Sequence, residues 1–174
     1  MAVDFVGTMK KRALQFNLIL WILFACSAPP AENKNIDEPN ATVENDLPHL
    51  RITLLDKSEI DARQLDGKVV LVFFQPDCDH CQREASEIAR NLVGFKDASL
   101  YFVSSDTPEN VANFAKTYNL NGVERVYFGI TSTESVLKNF GPIATPSFYI
   151  YSADRRLVKA FNGEVEISAL LKYI

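Results

Sequence analysis

From about Pro48 onward the apolar residues come in short bursts, and two different spacings alternate among them. Val69 to Phe74 (VVLVFF) is apolar without a break, β-branched and aromatic, which predicts a central strand buried on both faces of a sheet. Ala85, Ile88, Ala89 and Leu92 then fall at i, i+3, i+4 and i+7, predicting a helix that starts near Cys78 and stops at Gly94. Ser99 to Ser104 (SLYFVS) reads as the next strand. Asp106-Thr107-Pro108 offers an N-cap and a first-turn proline to a helix with the stripe Val111, Phe114, Ala115 and Tyr118. Val126 to Ile130 is a third buried strand, and Thr131 with Glu134 suits a capping box for a short helix ending at Phe140-Gly141. Ser147 to Tyr151 and Leu157 to Phe161 are two strands joined across residues 152–156 as a hairpin. Ile167, Leu170, Leu171 and Ile174 mark a closing helix, and Arg51 to Leu55 (RITLL) a first short strand. Strands alternating with helices in this order predict an α/β fold with a mixed sheet covered on both faces.

The first 48 residues follow a different pattern. Lys10, Lys11 and Arg12 precede an apolar stretch from Ala13 to Ala25. A permanent membrane span needs about 20 such residues, so this stretch suits a cleavable export signal, residues 1–25. It ends in Leu23-Phe24-Ala25-Cys26, which resembles the lipobox of bacterial lipoproteins, although Phe24 is bulkier than that pattern usually carries. The resemblance implies a lipid on Cys26. Met9, directly before the positive cluster, is a second candidate start beside Met1. Residues 26–48 are rich in Pro, Asn, Glu and Asp with little to bury, and are expected to form a flexible tether. The globular domain is then residues 49–174.

Composition narrows the function classes. The 174 residues suit one domain of ordinary size. The net charge is −4, and loss of residues 1–25 removes three cations and one anion to leave −6. Nucleic acid is therefore not an expected partner, since phosphate binding needs a concentrated basic face. Three cysteines are too few for a disulfide-stapled miniature fold, and only Cys78 and Cys81 form a C-x-x-C.

Cys78-Asp79-His80-Cys81 falls between the C-terminal end of the central strand and the first turn of the next helix. Catalytic groups in open α/β sheets gather at such strand ends. Helix-start N–H groups stabilise a thiolate, and the spacing lets two sulfurs meet. With Leu65-Asp66-Gly67-Lys68-Val69-Val70-Leu71-Val72 ahead of the cysteines and Ala144-Thr145-Pro146-Ser147 before the hairpin, Leu50 to Ile174 resembles the thioredoxin-like superfamily. More narrowly it resembles the membrane-tethered thiol–disulfide oxidoreductases of the TlpA/ResA type. The resemblance implies a thioredoxin-like fold, a central mixed β-sheet flanked by helices, with an extra strand–helix insertion in the separation of 68 positions from Cys78 to Pro146. It implies that Cys78 is the nucleophile and Cys81 the resolving thiol. It also implies that Pro146 is a substrate-contacting cis-proline, with Thr145 offering its backbone to a client, and that Glu84 is an acid near the cysteines serving proton transfer. Asp77 replaces the aromatic residue usual before the first cysteine. Asp77 and Asp79 favour the thiol form of Cys78, whereas His80 and the helix start favour its thiolate, so the residues alone leave the redox direction open.

Other chemistries fit less well. Zinc needs four ligands, and only Cys78, Cys81, His49 and His80 remain once Cys26 is lipidated; His80 would have to fold back from inside the C-x-x-C, so no metal is expected. Copper chaperones of this fold use C-x-x-x-C plus a distant His, a spacing missing here. The Pro-x-x-x-Thr-x-x-Cys pattern of peroxiredoxins is absent around Pro76. A non-catalytic peptide-binding module is the other alternative, against which the intact cysteines argue. The expected cofactor is none beyond a redox-active Cys78–Cys81 disulfide. The expected partners are client proteins with disulfides or dithiols, apocytochrome c among them by resemblance, together with a membrane thiol donor or acceptor. The expected location is the bacterial cell envelope, with the protein held to a membrane through its lipid.

Overall fold

The computed structural model describes residues 44–174, so the predicted leader, Cys26 and the tether up to residue 43 lie outside the described residues. Seven strands form one mixed sheet. They are β1 (Arg51–Leu54), β2 (Glu59–Asp61), β3 (Lys68–Phe73), β4 (Ala98–Ser104), β5 (Val126–Ile130), β6 (Ser147–Tyr151) and β7 (Leu157–Asn162). Four helices accompany them: α1 (Asp79–Arg90), α2 (Pro108–Thr117), α3 (Thr133–Phe140) and the single turn α4 (Ile167–Leu170). The strand order is β2-β1-β5-β4-β3-β6-β7, with β3, β4 and β5 parallel and the remaining pairings antiparallel. Strand β5, reached through α2, lies between β4 and β1, and both elements fall between Cys78 and Pro146, where the extra strand–helix unit was expected.

The unbroken apolar run of β3 is explained by two cores. Val70, Val72 and Phe74 point into one, with Ala85 and Ile88 of α1, Val111 and Phe114 of α2 and Leu170 of α4. Val69, Leu71 and Phe73 point into the other, with Ile52, Ala62, Leu65 and Tyr151, against Val136 and Phe140 of α3. The period-2 alternation of a strand thus serves both cores at once. On the first side Phe74 packs against Phe102, Phe114 and Phe128, at ring-centroid distances of 4.5 to 6.0 Å.

Several boundaries differ from the sequence expectation. The packed fold begins ahead of residue 49: Leu47 is buried, Asn45 bonds to the Arg63 carbonyl, and Arg63 reaches the carbonyls of Asn45 and Leu47. Asp46 accepts a hydrogen bond from Leu157 N–H and donates its own N–H to Arg155, while Arg156 pairs with Glu44 and Asp46. These contacts hold the start of the domain to the hairpin turn. Because β6 runs antiparallel to β3, that turn lies at the end of the sheet opposite Cys78. Strand β2 and a 3-10 turn at Ala62–Gln64 were not foreseen. Helix α1 ends at Arg90, short of the expected Gly94 stop, and Leu92–Phe95 forms a separate 3-10 turn. Thr107 caps α2 while the Asp106 carboxylate accepts from Thr107 N–H. Ser132, not Thr131, caps α3 through the Ser135 N–H; Thr131 instead donates to the Arg51 carbonyl. The closing helix is one α turn followed by a 3-10 turn. Among the described residues no helix is long and apolar enough to cross a membrane.

Candidate functional site

Strand β3 delivers the chain to Gln75-Pro76-Asp77, and Cys78 becomes the N-cap of α1, in extended conformation at φ −86° and ψ 116°. A helix start leaves N–H groups without intrahelical partners, and here the Cys78 sulfur takes the place of a capping oxygen. It accepts the Cys81 N–H at 3.3 Å. The same sulfur donates toward the Thr145 carbonyl at 3.6 Å. Thr145–Pro146 is a cis peptide bond, so the two distant motifs meet across the sulfur.

The two cysteines are free thiols in unequal surroundings. Cys78 is half-buried, whereas Cys81, on the core-facing side of α1, is 2% exposed. Burial pushes the Cys81 thiol up to about 12, with the hydrogen bond to Cys78 adding to it. Cys81 is therefore a poor thiolate until a partner sulfur is at hand. Asp77, Asp79 and His80 are exposed on the turn.

His80 points its Nδ1 at a residue the sequence analysis did not single out. Nδ1 lies 2.5 Å from the Glu164 carboxylate and 2.7 Å from Arg83 Nη2, and Arg83 also binds Glu164 through Nε at 2.8 Å and Nη2 at 2.7 Å. With a proton on Nδ1 the imidazole donates to Glu164; without one it accepts from Arg83. The Arg83 guanidinium and then His80 hold the Glu164 carboxyl down to about 2. The one sequence signal for this cluster is the i, i+3 pairing of His80 and Arg83 on α1, which puts two basic groups side by side.

Glu84 is buried at 3% exposure, on the first core side with Cys81. One carboxylate oxygen accepts the Val165 N–H at 2.5 Å, and the other is buried with no partner. Burial pushes this carboxyl up to about 7, aided by the nearby Glu164, Glu166 and Glu87 and opposed by the Val165 hydrogen bond. Its hydrogen bond runs to the segment after β7, not to sulfur.

Beside Thr145 a cleft of about 240 Å³ opens between the C-terminal ends of β3 and β4 and helix α3, lined by Phe73, Val103, Val136, Leu137, Ile143 and Thr145. Leu137 is half exposed there. Gln75 closes one end, accepting from Ser104 and donating to Ser105. Among the described residues no three His, Cys, Asp or Glu side chains converge as a metal site, and His49 pairs with Asp61.

A mixed sheet with helices on both faces, a C-x-x-C at a helix N-cap and a cis X-Pro bond facing it define a thioredoxin-like protein with one half-exposed and one buried thiol. The chain belongs to the AhpC/TSA family, whose model matches residues 43–160, about two-thirds of the sequence. No curated protein matches the sequence. Among solved structures it is similar to DsbF of Mycobacterium tuberculosis, with TM-score 0.63 and 21% identity over 76% of this chain and 96% of that one. A secreted M. tuberculosis disulfide oxidoreductase homologous to E. coli DsbE matches with TM-score 0.61 and 18% identity, over 72% of this chain and 93% of that one. A peroxiredoxin-like protein from Aquifex aeolicus matches with TM-score 0.59 and 14% identity, over 72% and 81%. At these identities the likeness establishes the fold.

Proposed function

We propose that this protein is a thiol–disulfide oxidoreductase that reduces disulfides of client proteins in the bacterial cell envelope, held to a membrane by a lipid on Cys26. The observation that carries the chemistry is the inequality of the two sulfurs: a half-exposed Cys78 at the N-cap of α1 with a buried Cys81 one turn behind it. The Cys78 thiolate attacks one client sulfur, forming a Cys78–client bond and releasing the other client sulfur as a thiolate. Cys81 gives up its proton and attacks Cys78, so the second client thiolate leaves and a Cys78–Cys81 disulfide remains. Two electrons pass to the client, and a thiol donor at the membrane restores the pair. Glu84, one turn along α1 from Cys81, is the titratable reservoir for that proton. An extended client chain lies along Thr145 and rests an apolar side chain in the cleft at Leu137 and Ile143. The redox pair needs no further cofactor.

In this reading Cys81→Ser accumulates client mixed disulfides, seen as high-mass bands that vanish with reductant, and Cys78→Ser does not. Equal trapping by both variants overturns the nucleophile assignment. Separately, Cys26→Ala is expected to move the protein from the membrane fraction to the soluble one, because residues 27–46 have no apolar anchor. Unchanged partition, with no lipid mass on Cys26, overturns the lipid anchor.

A further inference from the structure

The segment Asn162–Val165, from the last residue of β7 onward, bonds both to the chain around the cis peptide and to helix α1. Asn162 Oδ1 accepts from the Ala144 N–H at 2.8 Å and from the Ser147 hydroxyl at 2.9 Å, on either side of the cis peptide. Gly163 donates its N–H to the Pro146 carbonyl at 2.8 Å. Val165 donates to Glu84 on α1. Between these anchors Glu164 reaches His80 and Arg83, so its carboxylate is held at the C-x-x-C turn from both sides of the site. His80 lies inside the C-x-x-C and Arg83 follows two residues after Cys81, one turn further along α1.

We propose that Glu164 is a positioning residue of the redox site: it fixes His80 and Arg83 beside the C-x-x-C turn and offsets the positive charge they place near the Cys78 sulfur. The proposal rests on the oxidoreductase reading for its purpose, but not for its measurement. Arg83 stays cationic at every working pH, and a positive group near a thiolate favours it over the thiol. Glu164 supplies the opposing charge, with Asp77 and Asp79 on the turn itself, while Glu84, Glu87, Arg90 and Glu166 line the cleft beyond it. Removing Glu164 uncovers one unit of positive charge. The Cys78 thiolate is then favoured, the reduced state gains, and the Cys78–Cys81 disulfide becomes a stronger oxidant.

The test measures the pH midpoint of Cys78 alkylation by iodoacetamide in the Cys81→Ser background, where Cys78 is the reacting thiol of the domain. Glu164→Gln is expected to move the midpoint down by about half a pH unit, roughly threefold in the thiolate-to-thiol ratio. Arg83→Gln moves it up, and the two effects couple in the double variant. The Glu164→Gln shift persists with His80→Gln, since the guanidinium alone carries it, and shrinks in 1 M salt, where screening acts over about 3 Å. With both cysteines present, equilibration against glutathione shows the Glu164→Gln pair more oxidising. A midpoint that stays put or rises in Glu164→Gln overturns the proposal and leaves Glu164 a surface ion pair. A midpoint that shifts as expected while Cys81→Ser traps no client leaves this proposal standing and overturns the oxidoreductase reading instead.

Discussion

Glu84 is costly to bury, because one of its carboxylate oxygens has no partner. Folding raises its proton affinity from the ordinary 4.5 to about 7. Between those values the folded chain binds a proton that the unfolded chain has lost, so stability is full below about 4.5 and falls as pH rises toward 7. A shift of that size corresponds to a loss on the order of 3 kcal/mol by neutral pH. Glu84→Gln keeps an acceptor for Val165 and removes the charge, so it is expected to flatten this loss. Urea unfolding of both proteins at pH 5 and pH 8 measures it, and parallel pH profiles would sink the account. The burial of Glu84 was not legible in the sequence. The apolar stripe predicted for this helix runs through Ala85, Ile88, Ala89 and Leu92, and a glutamate at the margin of such a stripe reads as solvated until the segment after β7 covers it. His80 is legible as a basic side chain beside the cysteines, but its partner lies 84 positions away and no local pattern announces it.

At the scale of elements, what could be read were the segments whose periodicity is strong. β3, β4 and β5, the stripe of α2 and the β6–β7 hairpin fall within a residue or two of expectation, because each buries several side chains on a regular repeat. β2 is three residues long and half exposed, too short for a period of two to be seen. The cap of α3 was misplaced by one position because Thr131, Ser132 and Thr133 can all cap, and the pairing of Thr131 with Arg51 decides among them. Gly129 shows how closely β5 meets β1. A Cβ there would lie 2.5 Å from Ile52 Cγ2 and 3.0 Å from the Thr53 carbonyl oxygen, in a buried antiparallel contact. Gly129→Ala is expected to cost about 1–3 kcal/mol through overpacking, read as a lower urea midpoint. An unchanged midpoint would mean that β1 can move aside.

For the molecule as a whole, one aromatic residue ties the sheet to its helices. Phe74 follows β3, four residues ahead of Cys78, and its ring meets Phe102 and Phe128 from the neighbouring strands and Phe114 from α2. Phe74→Ala is expected to cost about 3–5 kcal/mol and to loosen the approach to the cysteines together with the core. Thermal unfolding with client trapping measured on the same sample checks both, and a native midpoint would overturn the assignment of Phe74 as the common contact. The hold of Glu44 and Asp46 on Arg155 and Arg156 gives the domain a back and a front, since the chain joins it at the hairpin and the sulfurs stand at the other end of the sheet. A pull applied through the N-terminal side is therefore delivered to the back. Immobilised by that side on a bead or an electrode, the domain would present its thiols outward, to whatever arrives from solution.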